Sequence, residues 1–123
     1  MEEGPDASLY VTSLPGGPGE LSGAPAGRLL RMMILTGEIG VVADGLDSPV
    51  GLAVSATGDV YVSELQAGRI SRIPAGTAQP EPYARATFPG DLEWTPDGLF
   101  ATTDVLSGTN GVDPPEARLV RLN

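Results

Sequence analysis

The sequence predicts an all-β chain built from four-stranded antiparallel blades of the β-propeller type, about two and a half blades in length. A short alternating strand occurs three times, as SLYVTSL at 8–14, DVYVSEL at 59–65 and GLFATTD at 98–104. Each copy is followed by a strand of the pattern Arg-apolar-x-Arg-apolar, beginning at Arg28, Arg69 and Arg118. These starting points lie 41 and 49 residues apart, and a repeat of about 40 residues is the length of one propeller blade.

A longer correspondence supports the same repeat. The segment SPVGLAVSATGDVYV, from Ser48, matches FPGDLEWTPDGLFAT, from Phe88, with a proline, a leucine and a glycine in register. Tight turns are predicted at TGD 57–59 and PDG 96–98, and also at TGE 36–38. Proline or glycine interrupts every long run, and no segment keeps a period of 3.6 residues with helix caps. We therefore expect no helix.

The ten predicted strands divide the chain into three blades. Residues 1–46 hold strands two to four of the first blade, at 8–14, 27–35 and 38–43. Residues 47–87 hold all four strands of the second blade, at 50–55, 59–65, 69–73 and 81–85. Residues 88–123 hold strands one to three of the third blade, at 91–95, 98–104 and 117–122. Too few residues precede the first predicted strand for another, so we expect the first blade to lack its first strand and the last blade to lack its fourth.

Both ends of such a partial propeller carry a sheet edge with unpaired backbone groups. An edge of this kind is a template for a strand from another chain. We therefore expect self-association through the edge strands, in a closed oligomer or, because a head-to-tail contact need not close, in an open polymer. Truncation of a longer propeller is the alternative.

The composition narrows the chemistry that is available. The 123 residues include 16 acidic and 7 basic ones, a net charge of −9, so the chain offers no surface for phosphates and nucleic acid is not an expected partner. With no Cys and no His, disulfides, thiol nucleophiles, imidazole bases and the usual zinc or copper ligands are excluded, and only metals with oxygen ligands, calcium foremost, remain. The N-terminal sequence MEEGPDASLYV and the lack of a long apolar run predict neither a signal peptide nor a membrane partner.

Acidic residues near one face of the predicted blades are candidates for a ligand or calcium site. They are Asp44, Asp47, Glu64, Asp91, Asp104 and Asp113, of which Asp47, Glu64, Asp91 and Asp104 are the principal candidates. Glu64 and Asp104 attract most interest because both end a second strand at near-equivalent positions. Alternatively the carboxylates are solvated or cap turn amides, and the D-x-D-x-D-G spacing of a calcium loop is absent. The long loops 15–26 and 105–117 are candidate binding surfaces, or else solvated insertions without a specific role.

Three arginine pairs recur with the blade. They are Arg28 and Arg31, Arg69 and Arg72, and Arg118 and Arg121. Positions three apart in a strand point to opposite faces, so we expect one arginine of each pair to pack its stem across a neighbouring blade. The other meets solvent or a carboxylate, and anion binding is the alternative. Tyr10, Tyr61 and Phe100 occupy equivalent positions and are expected in the core between blades, and Trp94 is expected in core packing rather than as a sugar platform.

Two segments carry a family resemblance, LYVTSLPGGPGELSGAPAGRLLRM and TGEIGVVADGLDSPVGLAVSATGDVYVSEL. On the basis of these segments, nearly the whole chain resembles the NHL-like propellers of the scytonemin-cluster ScyD/ScyE type. The most specific part of the resemblance is LYVTSL followed by a long Gly/Pro loop and a strand that begins with GR. The resemblance implies a propeller of six or a similar number of blades, often exported, with no established catalytic set. It therefore favours an extracellular or periplasmic location.

The function expected from these patterns is that of a structural or interaction module, without a catalytic set or a cofactor, completed by strands from other copies of itself. The competing interpretations are a propeller face that binds a ligand or calcium, and a fragment of a calcium-dependent lactonase-like hydrolase. Lactonase-like propellers use carboxylate and amide ligands for calcium. Asparagine occurs here only at Asn110 and Asn123, so that ligand set is not matched.

Overall fold

A computed structural model of the chain describes residues 2–3, 8–13, 27–104 and 118–122. Within these residues eleven β-strands form three antiparallel sheets. The same residues include no helix, and hence none of the length and apolar character that a membrane-spanning helix requires. The prediction of an all-β chain of propeller-type blades that does not close a ring is confirmed.

The first sheet has the strand order β1-β2-β3-β4. Its strands are β1 Glu2–Glu3, β2 Ser8–Ser13, β3 Gly27–Met33 and β4 Ile39–Leu46. The last strand runs beyond the predicted end at residue 43, because the register shifts beside Leu29 and lets Gly27 pair with Leu46. Such a bulge adds length to one strand without adding a partner in the other.

The first strand of this sheet corrects a prediction. The expectation of a first blade without its first strand is wrong, because Glu2 pairs with Tyr10 and Glu3 with Leu9. A ladder of two residues needs no alternation of apolar and polar side chains. Strands of this length therefore leave no pattern in the sequence.

The second and third sheets are up-and-down meanders as well. β5 Pro49–Val54, β6 Val60–Glu64, β7 Arg69–Ile73 and β8 Glu81–Arg85 form the second sheet in that order. β9 Leu92–Thr95, β10 Gly98–Thr103 and β11 Arg118–Arg121 form the third, in which three strands lie among the described residues. The turn predicted at 57–59 is present: Gly58 has a φ of 89° and donates its N–H to the Ser55 carbonyl at 3.0 Å.

The sheets pack face to face, and two cores fill the spaces between them. The first core lies between the first and second sheets and consists of Tyr10, Leu29, Ala43, Leu46, Leu52, Val60, Val62 and Ile73. The second core lies between the second and third sheets and consists of Ala53, Tyr61, Ile70, Leu92, Leu99 and Ala101. Because side chains alternate along a strand, the second sheet contributes one face to each core. This explains why all five residues of β6 are buried.

The three equivalent aromatic residues have different surroundings. Tyr10 lies in the first core and Tyr61 in the second. Phe100 is half-buried and belongs to neither, which corrects the expectation that it lies between blades. No sheet of the described residues covers the face on which it lies. Trp94 is half-buried and packs against the second core.

Two glycines allow the sheets to approach each other closely. A Cβ built on Gly51 lies 2.3 Å from the carbonyl oxygen of Gly90, at the start of the third sheet. The Ser63 hydroxyl joins the same two backbones: it accepts the Gly51 N–H at 2.9 Å and lies 2.5 Å from the Gly90 oxygen, to which it donates. Between the first and second sheets, a Cβ on Gly27 would lie 2.2 Å from Cδ of Pro49. Any side chain at Gly27 or Gly51 would push two sheets apart.

Candidate functional site

The most polar arrangement among the described residues surrounds Glu64, at the end of β6. Its side chain is 0% exposed and accepts hydrogen bonds from three residues, two of them on β7 and one in the connection between the first two sheets. Nε of Arg69, on β7, donates to Oε2 at 2.6 Å and Nη2 donates to Oε1 at 3.1 Å. The Ser71 hydroxyl donates to Oε2 at 2.5 Å, and the backbone N–H of Asp47 donates to Oε1 at 2.8 Å. The carboxylate therefore ties β6 to β7 and to the connection between the first two sheets.

These contacts decide the charge of Glu64. Burial alone raises its pKa, but the hydrogen bonds from Arg69, Ser71 and the Asp47 amide outweigh burial, and the pKa lies below the usual value. The hydrogen bond to Glu64 in turn raises the pKa of Arg69. A carboxylate that stays ionised and is occupied by internal donors is a poor general acid. It also has no oxygen turned towards solvent for a metal ion.

Among the described residues, the other calcium candidates do not form a metal site with this carboxylate. Asp47 is half-buried and reaches Glu64 through its backbone N–H. Asp91 is exposed, and its Oδ1 accepts the N–H of Leu92 at 2.9 Å. Asp104 has a φ of 55°, and its Oδ2 accepts the Thr103 hydroxyl at 3.1 Å. In the part of the chain that the structure describes, no three His, Cys, Asp or Glu side chains converge to hold a metal.

The strand register separates Glu64 from Asp104. Glu64 lies opposite Arg69, the first arginine of its pair. The corresponding arginine of the third sheet, Arg118, lies opposite Thr103 instead. Thr103 is therefore the equivalent of Glu64, and Asp104 is one residue further along. In the first sheet Ser13 lies opposite Arg28, so only the second sheet has a carboxylate at this position.

The arginine pair of the second sheet binds carboxylates of its own sheet. Arg69 binds Glu64, and on the opposite face Arg72 donates to Asp59 Oδ2 and Glu81 Oε1, both at 2.8 Å. Asp59 also accepts the Ala75 N–H at 2.9 Å, and this hydrogen bond, followed by the one from Arg72, lowers the pKa of Asp59. These ion pairs join strands within a blade. Elsewhere Arg28, Arg118 and Arg121 are exposed and Arg31 is half-buried, and packing of their stems across blades stays a prediction.

Several predicted features lie outside the described residues, namely the loops 15–26 and 105–117 and the carboxylate of Asp113. Sequence reasoning also missed two polar contacts that the structure shows. Ser71 and Ser63 are buried, and each directly follows a buried apolar residue of its strand, Ile70 or Val62. A serine at a buried position needs a hydrogen-bond partner. That requirement is the signal that could have pointed to Glu64 and to the Gly90 carbonyl.

Comparison with known proteins gives the fold and no more. No protein-family model and no curated protein matches the chain. A solved structure of a luciferin-regenerating enzyme matches 98% of the chain with a TM-score of 0.65 and 15% sequence identity. The matched part is 45% of the enzyme's chain, so the present chain spans less than half the length of this neighbour. The neighbour has a propeller-like fold, in agreement with the blades described above.

Proposed function

We propose that the chain is a structural or interaction module without catalytic activity, a partial propeller that other copies of itself complete. The observation that carries this proposal is the pair of uncovered outer sheets: among the described residues, the first and third sheets each pack on one face only. Glu64, the buried carboxylate of the described residues, serves an internal ion pair, which supports a structural role. The proposal also includes an NHL-like family type and an extracellular or periplasmic location. The sequence resemblance alone supports these two parts.

Strand addition is one way to complete the propeller. Leu122 donates its N–H to the Leu99 carbonyl at 2.8 Å, so alternate amides of β11 point towards β10. The amides of Leu119 and Arg121 therefore point away from β10, towards the outer edge of the third sheet. An added strand would pair with these groups. Closed oligomers and open polymers are both consistent with such an edge.

Self-association is tested by the mass of the particle in solution. We expect analytical ultracentrifugation and light scattering to show a dimer or a larger assembly whose population grows from micromolar to near-millimolar concentration. The increase follows from mass action on copies that bury surface against one another. A particle with the mass of one chain across the whole range would overturn the proposed function.

The competing function is a propeller face that binds calcium, alone or as part of a lactonase-like hydrolase. The neighbour is named an enzyme, but 15% identity supports the fold only. We expect calcium to leave the melting temperature unchanged relative to a chelator, because the oxygens of Glu64 are held by internal donors. A calcium concentration 100 times the dissociation constant would add about 2.7 kcal/mol to the stability. A rise of several degrees with calcium, absent with magnesium, would therefore favour the calcium site.

A further inference from the structure

The outer face of the first sheet is apolar throughout its centre. Cross-strand pairs lie on the same face of a sheet, and the register forms two rows across β2, β3 and β4. The rows are Val11–Leu30–Val41 and Leu9–Met32–Ile39. We call these six side chains the apolar face. Ile39 and Val41 are 66% and 56% exposed, and the other four are half-buried.

The matching face of the other two sheets is buried. Val60, Val62 and Ile73 of the second sheet lie in the first core, against the first sheet. Leu99 and Ala101 of the third sheet lie in the second core, against the second sheet. In the second and third sheets, the face equivalent to the apolar face therefore packs against the preceding sheet.

The opposite face of each sheet packs against the following sheet. Tyr10 marks this face on the first sheet and Tyr61 on the second, and each lies in the core shared with the next sheet. On the third sheet the same face bears Phe100, which pairs with Glu93 and Arg121, and Leu119, which pairs with Thr102 and is 72% exposed. We call it the Phe100 face. No following sheet covers it among the described residues.

We infer that the apolar face of one copy binds the Phe100 face of a second copy, sheet against sheet and head to tail. This inference rests on the proposed function and replaces edge-strand pairing with face packing as the main contact. Each of the two interfaces inside the chain joins a face equivalent to the apolar face with a face equivalent to the Phe100 face. The two faces left uncovered are the apolar face and the Phe100 face themselves. The contact between copies thus repeats an arrangement that the chain already forms twice.

Two copies are the smallest number that closes a head-to-tail contact. In a closed pair, each apolar face meets the Phe100 face of the partner. Both contacts are then equivalent by a two-fold axis.

Two charge substitutions test the inference, one on each face. Val41→Glu places a carboxylate on the apolar face, and Phe100→Glu places one on the Phe100 face. Each variant alone is expected to dissociate to monomers, with association weakened about 100-fold or more because an unpaired charge would be buried at both contacts of the pair. An equimolar mixture should recover an open dimer joined by one contact, since one unmodified apolar face and one unmodified Phe100 face bind each other while the two substituted faces stay apart.

A matched control comes from the turn between β3 and β4. Leu35 is 90% exposed and lies off the apolar face, so Leu35→Glu should associate like the parent chain. Far-UV circular dichroism and the melting temperature verify that each variant folds. Should Val41→Glu not fold, Ile39→Glu, at a more exposed position of the same face, takes its place.

The outcomes separate this inference from the proposed function. Association of Val41→Glu at parental strength would overturn the face contact and leave self-association standing. If Val41→Glu no longer associates while Phe100→Glu associates fully, the apolar faces of two copies bind each other. That result would contradict the head-to-tail pairing. A mixture that stays monomeric would also contradict that pairing. A monomeric parent chain would overturn both proposals.

Discussion

Replacing Glu64 with glutamine is expected to lower the free energy of unfolding by about 2–3 kcal/mol, because a buried ion pair that loses one partner leaves the other without compensation. Glutamine keeps the size of the side chain. Its amide nitrogen is a donor, however, and would face the donors of Arg69 and Ser71 instead of accepting their hydrogen bonds. The estimate lies below the range for fully buried pairs because the Arg69 side chain is 44% exposed. Urea denaturation followed by circular dichroism measures the change.

The matched control is Glu81→Gln, which removes a carboxylate that pairs with Arg72 at the surface. Its side chain is 52% exposed, and exposed ion pairs contribute about 0–1 kcal/mol. Equal losses in the two variants would contradict a special role for the buried position of Glu64.

The parent chain and Glu64→Gln also test how the contribution of Glu64 depends on pH. The pKa of Glu64 is lower in the folded chain than in the unfolded one, so its contribution is complete above the unfolded pKa of about 4.3. The contribution disappears as the pH falls below that value and through the folded pKa. We expect the stability difference between the parent chain and Glu64→Gln to be constant from neutral pH to about pH 5 and to shrink below it. A difference that grows on acidification has the opposite sign and would contradict the ion pair.

Replacing Gly51 with alanine is expected to cost about 2–3 kcal/mol, in the range of substitutions that overpack a core. The new Cβ would lie 2.3 Å from the Gly90 oxygen, which is backbone and cannot rotate away. Relief requires the second and third sheets to separate. The separation also breaks the hydrogen bond from the Ser63 hydroxyl to Gly90.

Gly40→Ala is the control for this substitution. Gly40 is also a strand glycine without a positive φ, but nothing lies within 4 Å of a Cβ built there. Alanine at this position should be neutral or slightly stabilising, because it restricts the unfolded chain. Thermal melts of both variants measure the change in stability. An unchanged stability of Gly51→Ala would mean that the second and third sheets are not in close contact at this point.

The blade repeat made most of the fold predictable. The predicted strand at 69–73 coincides with β7 Arg69–Ile73, and the one at 59–65 exceeds β6 Val60–Glu64 by one residue at each end. Alternation of side chains depends only on local sequence, so three copies of one alternating pattern locate the strands reliably. The two-residue strand β1 and the extension of β4 to Leu46 follow from pairing with other strands, which no local pattern records.

The surroundings of Glu64 were less predictable. A glutamate at the end of a strand is usually solvated, and the sequence offered a calcium ligand as the alternative. Its burial depends on Asp47, 17 residues away, whose amide comes from the connection with the first sheet. The ion pair with Arg69 depends on the strand register, which also shows Thr103 rather than Asp104 to be the equivalent residue.

The position of Glu64 between two sheets has a consequence for cooperativity. Repeat proteins open from their ends, one unit at a time, when neighbouring units are held together weakly. Detaching the first sheet would remove the Asp47 amide from a carboxylate that is otherwise buried, so the first two sheets should open together. The third sheet is joined to the second by the neutral hydroxyl of Ser63, and the protein should begin to unfold there.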